Sequence, residues 1–287
     1  MADVCPVCGS TLQPALTSWH FECAGCSYEG SNLEPKILEQ AVGGDLDEAE
    51  RESGLSALRK SNFQLLAERL DTLMAGRTGG RLLDVGSAHG WFLDATSGRL
   101  EGLGLEPDVA VADAARRRGV PVRSGFFPDA LADDERFDVI SFNDVLEHIP
   151  DINKTLDACR ERLQPGGLLV INAPSRRGVL YRISRVMQRF GMAGPFERLW
   201  QRGFPSPHVH YLDTRVIEAL AGRHGFRLED RMSLPSMKVQ GLYSRIRYAK
   251  DVPVAKAMAM TAALGVAYPV LAVLPPDIEV WFLRKSG

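Results

Sequence analysis

Apolar and polar positions follow two different periods along this chain, and the changeovers between them mark its elements. From Leu55 apolar residues recur at helical spacing through Leu58, Leu65, Leu66, Leu70 and Leu73, which predicts a helix ending near Gly76. An apolar run then ends in Asp84-Val85-Gly86, a small-residue turn leads to Gly90, and Trp91, Phe92, Leu93 and Ala95 show a short helical pattern. A second apolar run closes on Glu106. Phe137–Phe142 and Leu168–Ala173 are buried-strand runs, and Asp213-Thr214 is a good capping site at the start of a helix. Asp277–Arg284 reads as an antiparallel last strand. This order predicts an α/β fold with a doubly wound (Rossmann-like) sheet.

A strand, a glycine-bearing turn, a helix and a strand ending in an acid suit a nucleoside-containing cofactor. Glycine lets the backbone approach the ligand, and the acid can accept from both ribose hydroxyls. Taken alone, such a turn could be no more than a tight connection. The spacing of Asp84, Gly86, Ala88 and Gly90 resembles motif I of class I S-adenosylmethionine (SAM) methyltransferases, with Ala88 in place of the middle glycine. Phe137-Asp138-Val139-Ile140, Val145-Leu146-Glu147-His148 and Leu163-Gln164-Pro165-Gly166-Gly167 follow in the family's order. Together these motifs resemble the ubiquinone-biosynthesis-type branch (UbiE/UbiG-like, methyltransferase type 11/23), over roughly residues 55–235.

The resemblance implies a SAM-dependent methyltransferase and assigns roles to its residues. Asp84 orders the loop and the cofactor's amino group, while Gly86, Ser87 and Gly90 flank the methionine part. Glu106 takes the ribose hydroxyls, and Asn143 faces the methionine part. Phe126 stands where family members place an acid near the adenine amine, so only its backbone and ring can serve. Asp144, Glu147 and His148 fall at i, i+3 and i+4 on one helical face. Relatives use a comparable cluster for a divalent metal, which implies Mg at these three residues. His148 could equally be a general base, or could cap and pack the helix start with Glu147. His208, within Pro205–Tyr211, is a second candidate base or acceptor contact; the other reading is a turn histidine that bonds backbone.

Cysteine usage adds a second unit. Cys5-Pro-Val-Cys8 and Cys23-Ala-Gly-Cys26 lie fourteen residues apart, and four thiolates satisfy a tetrahedral structural zinc, with free thiols or a redox pair as the alternative. About 35 residues cannot fold on an apolar core, so metal binding is expected to supply the folding free energy. Cys159 lies alone in a predicted helix as an inert core residue. The expected organisation is a zinc knuckle over 1–33, a linker or weakly helical segment over 34–54 and, as the resemblance implies, a seven-stranded methyltransferase domain over 55–287, with inserts at about 176–207 and 237–274.

The net charge of −2 gives no global field toward DNA or anionic lipid. The polar start and the cysteine pattern suggest a cytoplasmic protein. The first insert carries seven arginines (176, 177, 182, 185, 189, 198, 202) and one acid, Glu197. Val179, Ile183, Val186 and Phe190 fall on one helical face with Arg182, Arg185 and Arg189 on another, which suits peripheral contact with a membrane's inner face, or a lid. Ala257–Leu274 runs eighteen residues without a charge, yet a segment returning to a cytosolic strand cannot have crossed a bilayer once. A helix packed on the domain or dipping into one leaflet is expected. The leading function is O-methylation of a small or lipid-linked acceptor, such as a quinone precursor or glycan intermediate. An rRNA guanine-type methyltransferase is the alternative, disfavoured by the acidic balance and by Asn172-Ala-Pro-Ser, which lacks a base-stacking aromatic. A non-catalytic SAM-binding or membrane-docking protein is the third.

Overall fold

The computed structural model describes residues 4–36, 48–75, 79–236, 243, 246, 252–271 and 274–287. Three short strands open the chain: β1 (Leu12–Pro14), β2 (His20–Cys23) and β3 (Glu29–Ser31). Helix α1 (Glu48–Leu73) leads into β4 (Gly80–Val85), α2 (Trp91–Thr96), β5 (Leu100–Glu106), α3 (Val109–Arg117) and β6 (Val122–Ser124). There follow β7 (Phe137–Asn143), α4 (Ile152–Arg162) and β8 (Leu163–Pro174). The first insert supplies α5 (Val179–Arg189), α6 (Ala193–Leu199) and β9 (His210–Tyr211). The chain closes with α7 (Thr214–Arg223), β10 (Phe226–Leu234), α8 (Val254–Leu271) and β11 (Ile278–Lys285).

Seven strands form one sheet in the order β6-β5-β4-β7-β8-β11-β10, with β11 antiparallel to both neighbours and the others parallel. The order reverses at β4, so the carboxyl ends of β4 and β7 border the crevice where such sheets bind ligands. Both faces are covered. Leu83, Ile140 and Leu169 pack with α4 and α7, while Leu82, Val139 and Leu168 pack with α1, α2 and α3. That explains why the strand sequences are continuously apolar rather than alternating. Asp213 caps α7 as expected, its carboxylate accepting from Val216 N at 3.0 Å.

Three features bear on the sequence reading. Helix α1 begins at Glu48 and takes in residues 48–54, assigned above to the linker; an acidic start suits the positive end of a helix. The rest of that linker, residues 37–47, lies outside the described residues, as does much of the second insert. The amino-terminal unit does not fold on metal alone. Its strands join β9 in an antiparallel four-stranded sheet, and Cys5, Val7, Cys23 and Tyr28 share a core with the central sheet. Finally, α5 turns its apolar side outward: Leu180, Ile183 and Val186 are exposed, Phe190 just beyond it is 78% exposed, and Arg185 points in. Helix α8 is also largely exposed, with Val266 at 84%, although among the described residues no helix is long and apolar enough to cross a membrane.

Candidate functional site

The cofactor side is built on the ends of β4, β5 and β7. The turn after β4 is left-handed at Gly86 (φ 68°), Ala88 (44°) and Gly90 (73°). Ala88 pays about 1–2 kcal/mol for a conformation that glycine adopts freely. Gly86 and Ser87 donate backbone bonds to the Leu105 carbonyl at 2.8 and 2.9 Å, which ties the turn to β5. Ala88 N and Asp108 N each donate to one oxygen of Glu106, both at 2.9 Å. These bonds fix the carboxylate and leave lone pairs on both oxygens for a ribose diol. Burial raises the Glu106 pKa, and the two amides work against that shift. Phe126 is exposed beside Gly125, whose N–H donates to the Glu106 carbonyl at 3.1 Å, so its ring is available to a base stacked above the sugar.

Asp84 is buried, and both of its side-chain bonds, from Ser141 Oγ (2.7 Å) and Asn143 Nδ2 (2.9 Å), fall on Oδ1. Oδ2 is therefore the oxygen left for an incoming ammonium. Burial pushes the Asp84 pKa up to about 7, assisted by the Glu106 charge and opposed by its two hydrogen bonds. Ser87 Oγ and Asn172 Oδ1 are buried without partners, which leaves each with hydrogen-bonding capacity toward a ligand. These residues fit the polar groups of SAM. Added to Gly86, a Cβ would lie 2.5 Å from Val145 Cγ2. We therefore expect Gly86→Ala to weaken binding of SAM and of its demethylated product at least tenfold by calorimetry; unchanged affinity would place the cofactor elsewhere.

A second cluster forms where a 3-10 turn, Leu146–His148, meets the lead-in to β9, which carries His208. This turn is not the start of an α-helix, and the expected three-residue face does not form. Asp144 sits ahead of it at φ 57° and pairs instead with Arg59 of α1 at 3.3 Å. His208 takes the third place beside Glu147 and His148, and one ligating atom from each lies within 4.8 Å of the others. The two imidazoles meet edge to face at 4.7 Å. His148 Nδ1–H donates to the Pro207 carbonyl at 3.0 Å, which leaves Nε2 4.0 Å from Glu147 Oε1. Gln201 bonds His208 Nε2 at 2.9 Å, while His208 Nδ1 and both Glu147 carboxyl oxygens are buried without partners. Burial raises the Glu147 pKa well above its usual value, with the Asp144 charge next in effect. Burial also lowers both imidazoles, His208 to about 3 with help from His148. Ala88, Asp144 and Gln201 are three of the five non-glycine residues at positive φ among those described. Such strain gathers around working sites.

The four cysteines also converge. Cys5 Sγ–Cys26 Sγ is 3.5 Å and Cys8 Sγ–Cys23 Sγ is 3.4 Å. Both are far longer than a disulfide, ~2.05 Å, and near the ~3.8 Å edge of a tetrahedron with zinc–sulfur bonds of ~2.3 Å. Cys159 is fully buried and apart from them, as expected.

Sequence reasoning missed Ser141, Arg59 and Gln201. Ser141 had a weak signal as a polar residue inside a buried strand; the other two arrive from distant segments and had none. Comparison with known proteins agrees with the geometry. The family model for a methyltransferase domain matches residues 58–230, and the chain belongs to that family of SAM-dependent methyltransferases. The ubiquinone biosynthesis O-methyltransferase of Psychrobacter arcticus is 27% identical over 58% of this chain and 67% of its own length. That of Cereibacter sphaeroides is 38% identical over 33% of this chain, and the match spans only 42% of that relative. Among solved structures, a Haloferax volcanii methyltransferase in complex with the Trm112 activator superposes with a TM-score of 0.55 at 14% identity, covering 86% of this chain and 100% of its own. The magnesium protoporphyrin IX methyltransferase of Synechocystis PCC 6803 gives 0.53 at 9% identity, covering 85% and 90%. Likenesses this distant speak to the fold alone.

Proposed function

We propose that this methyltransferase carries the SAM methyl group to a hydroxyl oxygen of a small or lipid-linked acceptor, such as a quinone precursor. The observation that carries the reading is the cluster of Glu147, His148 and His208 at the carboxyl end of the parallel strands, in which both Glu147 carboxyl oxygens and His208 Nδ1 are buried without partners. Methyl transfer from a sulfonium is an in-line displacement. The acceptor oxygen attacks the methyl carbon, the carbon–sulfur bond breaks with its electrons left on sulfur, and the hydroxyl proton must go to a base. A nitrogen acceptor that is already neutral needs no such base, which is why the cluster favours oxygen. The same three residues would hold a divalent cation, which would acidify a hydroxyl bound to it; Asp144 is not in that set. The names of the two curated relatives support the same acceptor class.

The exposed apolar face of α5, flanked by the exposed Arg182 and Arg189, supports an acceptor met at a lipid surface. The α5 start is bonded to the segment ahead of β11, Val179 N to the Pro275 carbonyl at 3.2 Å and Leu180 N to Asp277 Oδ1 at 2.8 Å. Incubating the enzyme with methyl-tritiated SAM and a fractionated cell extract tests the proposal. We expect label in the lipid or phenolic small-molecule fraction; label confined to RNA, or none in any fraction, would overturn it.

A further inference from the structure

We propose that the four-cysteine module is the positioning element of the acceptor side: its zinc-held sheet fixes β9 and the lead-in to it that carries His208, through Ser31 and Tyr28. The inference rests on His208 facing the acceptor, as argued above, and asks what places it there. Ser31 bonds this segment twice, its N–H donating to the Val209 carbonyl at 3.0 Å and its Oγ to the His208 carbonyl at 2.8 Å. Tyr28 OH bonds His210 Nδ1. From the other side Val209 N donates to the Glu147 carbonyl at 2.8 Å, and His210 Nε2–H to the Ile149 carbonyl at 2.8 Å. The segment is thus a splint between the module and the 3-10 turn, with His208 at its head.

Val209 and His210 are buried, but on one side a cavity of about 490 Å³ bounded by Leu12, Phe21, Leu33 and Pro150 lies next to them, so edge hydrogen bonds add to packing in placing this segment. The N–H of His208 itself donates to the Trp200 carbonyl at 3.0 Å, an anchor outside the module. Tyr28 and Ser31 follow the second cysteine pair within five residues, so the metal that closes the Cys23–Cys26 turn also sets the register of β3. None of the SAM-side contacts of Asp84, Glu106 or the Gly86 turn involves the module. Metal loading should therefore govern the acceptor side and spare the cofactor side.

The test uses the full-length zinc protein, Ser31→Ala, Ser31→Thr, Tyr28→Phe and zinc-stripped wild type. Three quantities are measured: zinc content, calorimetric affinity for S-adenosylhomocysteine, and long-range proton–nitrogen spectra of the imidazole rings. Ser31→Ala should keep its zinc and bind the nucleoside within twofold of wild type. Its His208 and His148 ring signals should shift or broaden, and Ser31→Thr should restore them. Tyr28→Phe should displace the His210 signals first, and zinc removal should displace all three rings. Ring spectra of Ser31→Ala and zinc-stripped protein that superimpose on wild type would overturn the inference. So would nucleoside affinity falling in step with the ring changes, because the module would then support the whole domain. His208→Gln separates the two readings: if it methylates as wild type does, the acceptor-side assignment fails, while the ring spectra still decide what the module positions.

Discussion

Replacing Glu29 by glutamine is expected to destabilise the protein by about 3 kcal/mol, measured by urea unfolding at pH 7. Glu29 is buried where the module meets the insert, and it accepts from His20 Nε2 (3.1 Å), Arg176 Nε (3.0 Å), Arg185 and the Tyr181 hydroxyl. Burial by itself pushes this carboxyl up, but the His20 bond and the Arg185 and Arg176 charges outweigh it and hold the pKa at about 2, against an ordinary 4.5. The amide keeps the shape and removes the charge, so two guanidiniums lose their shared counter-ion. The expected cost is at the low end of what breaking a buried pair causes, because Arg176 retains Asp213 at 3.1 Å and Arg185 retains Glu22 at 2.5 Å. The pH dependence has a fixed sign. A carboxyl whose folded pKa is depressed stabilises fully above its unfolded value and loses that contribution as the pH falls through the folded one. The gap between wild type and Glu29→Gln should therefore be constant above about pH 5 and shrink toward pH 2. Equal urea midpoints at pH 7 would remove the network from any account of how the module is anchored. Glu22→Gln, at a half-exposed site, should have a much smaller effect.

That network also shows where sequence reasoning stops. The central sheet was legible because strands buried on both faces are continuously apolar, and the turn between β4 and α2 was legible because its glycines and the acid closing β5 are local in the chain. What the other side of α5 meets was not. Its pattern shows an amphipathic helix, read above as suiting membrane contact or a lid, and says nothing of the partners of its polar side. Here Tyr181, Ser184 and Arg185 face in because Glu29, more than 150 residues earlier, sits buried opposite them, and no periodicity in α5 records that charge. The acceptor cluster is a middle case. Glu147, His148 and His208 were each noticeable as polar residues beside motif positions, but their meeting depends on β9 joining the module's sheet. The helical spacing of Asp144, Glu147 and His148 pointed to a different trio, which fails because the backbone at Asp144 is left-handed and a 3-10 turn replaces the helix.

Glu147→Gln and His208→Gln should each lower kcat by about 10²–10⁴-fold, the usual worth of a positioned acid or base, while SAM affinity stays within twofold. The pH profile then separates their parts. His208, lowered to about 3, stays unprotonated across the neutral range, and burial moves His148 below its usual 6.5, so an inflection from either imidazole falls on the acid side of an ordinary histidine's. The Glu147 carboxyl is moved the opposite way, well above 4.5, by burial and by Asp144. It must lose its proton before it can accept one from the acceptor hydroxyl or bind a cation. Wild-type kcat should accordingly rise with pH through an inflection well above the usual carboxylate range, belonging to the coupled cluster rather than to one residue. In Glu147→Gln that inflection should disappear, and the residual rate should be flat down to the acid range where the lowered imidazoles titrate. An inflection that stays in place in this variant would mean that the proton leaves the acceptor by another route. Asp144→Asn supplies the intermediate case: it removes the charge that helps hold the Glu147 proton, so the inflection should move to lower pH without vanishing.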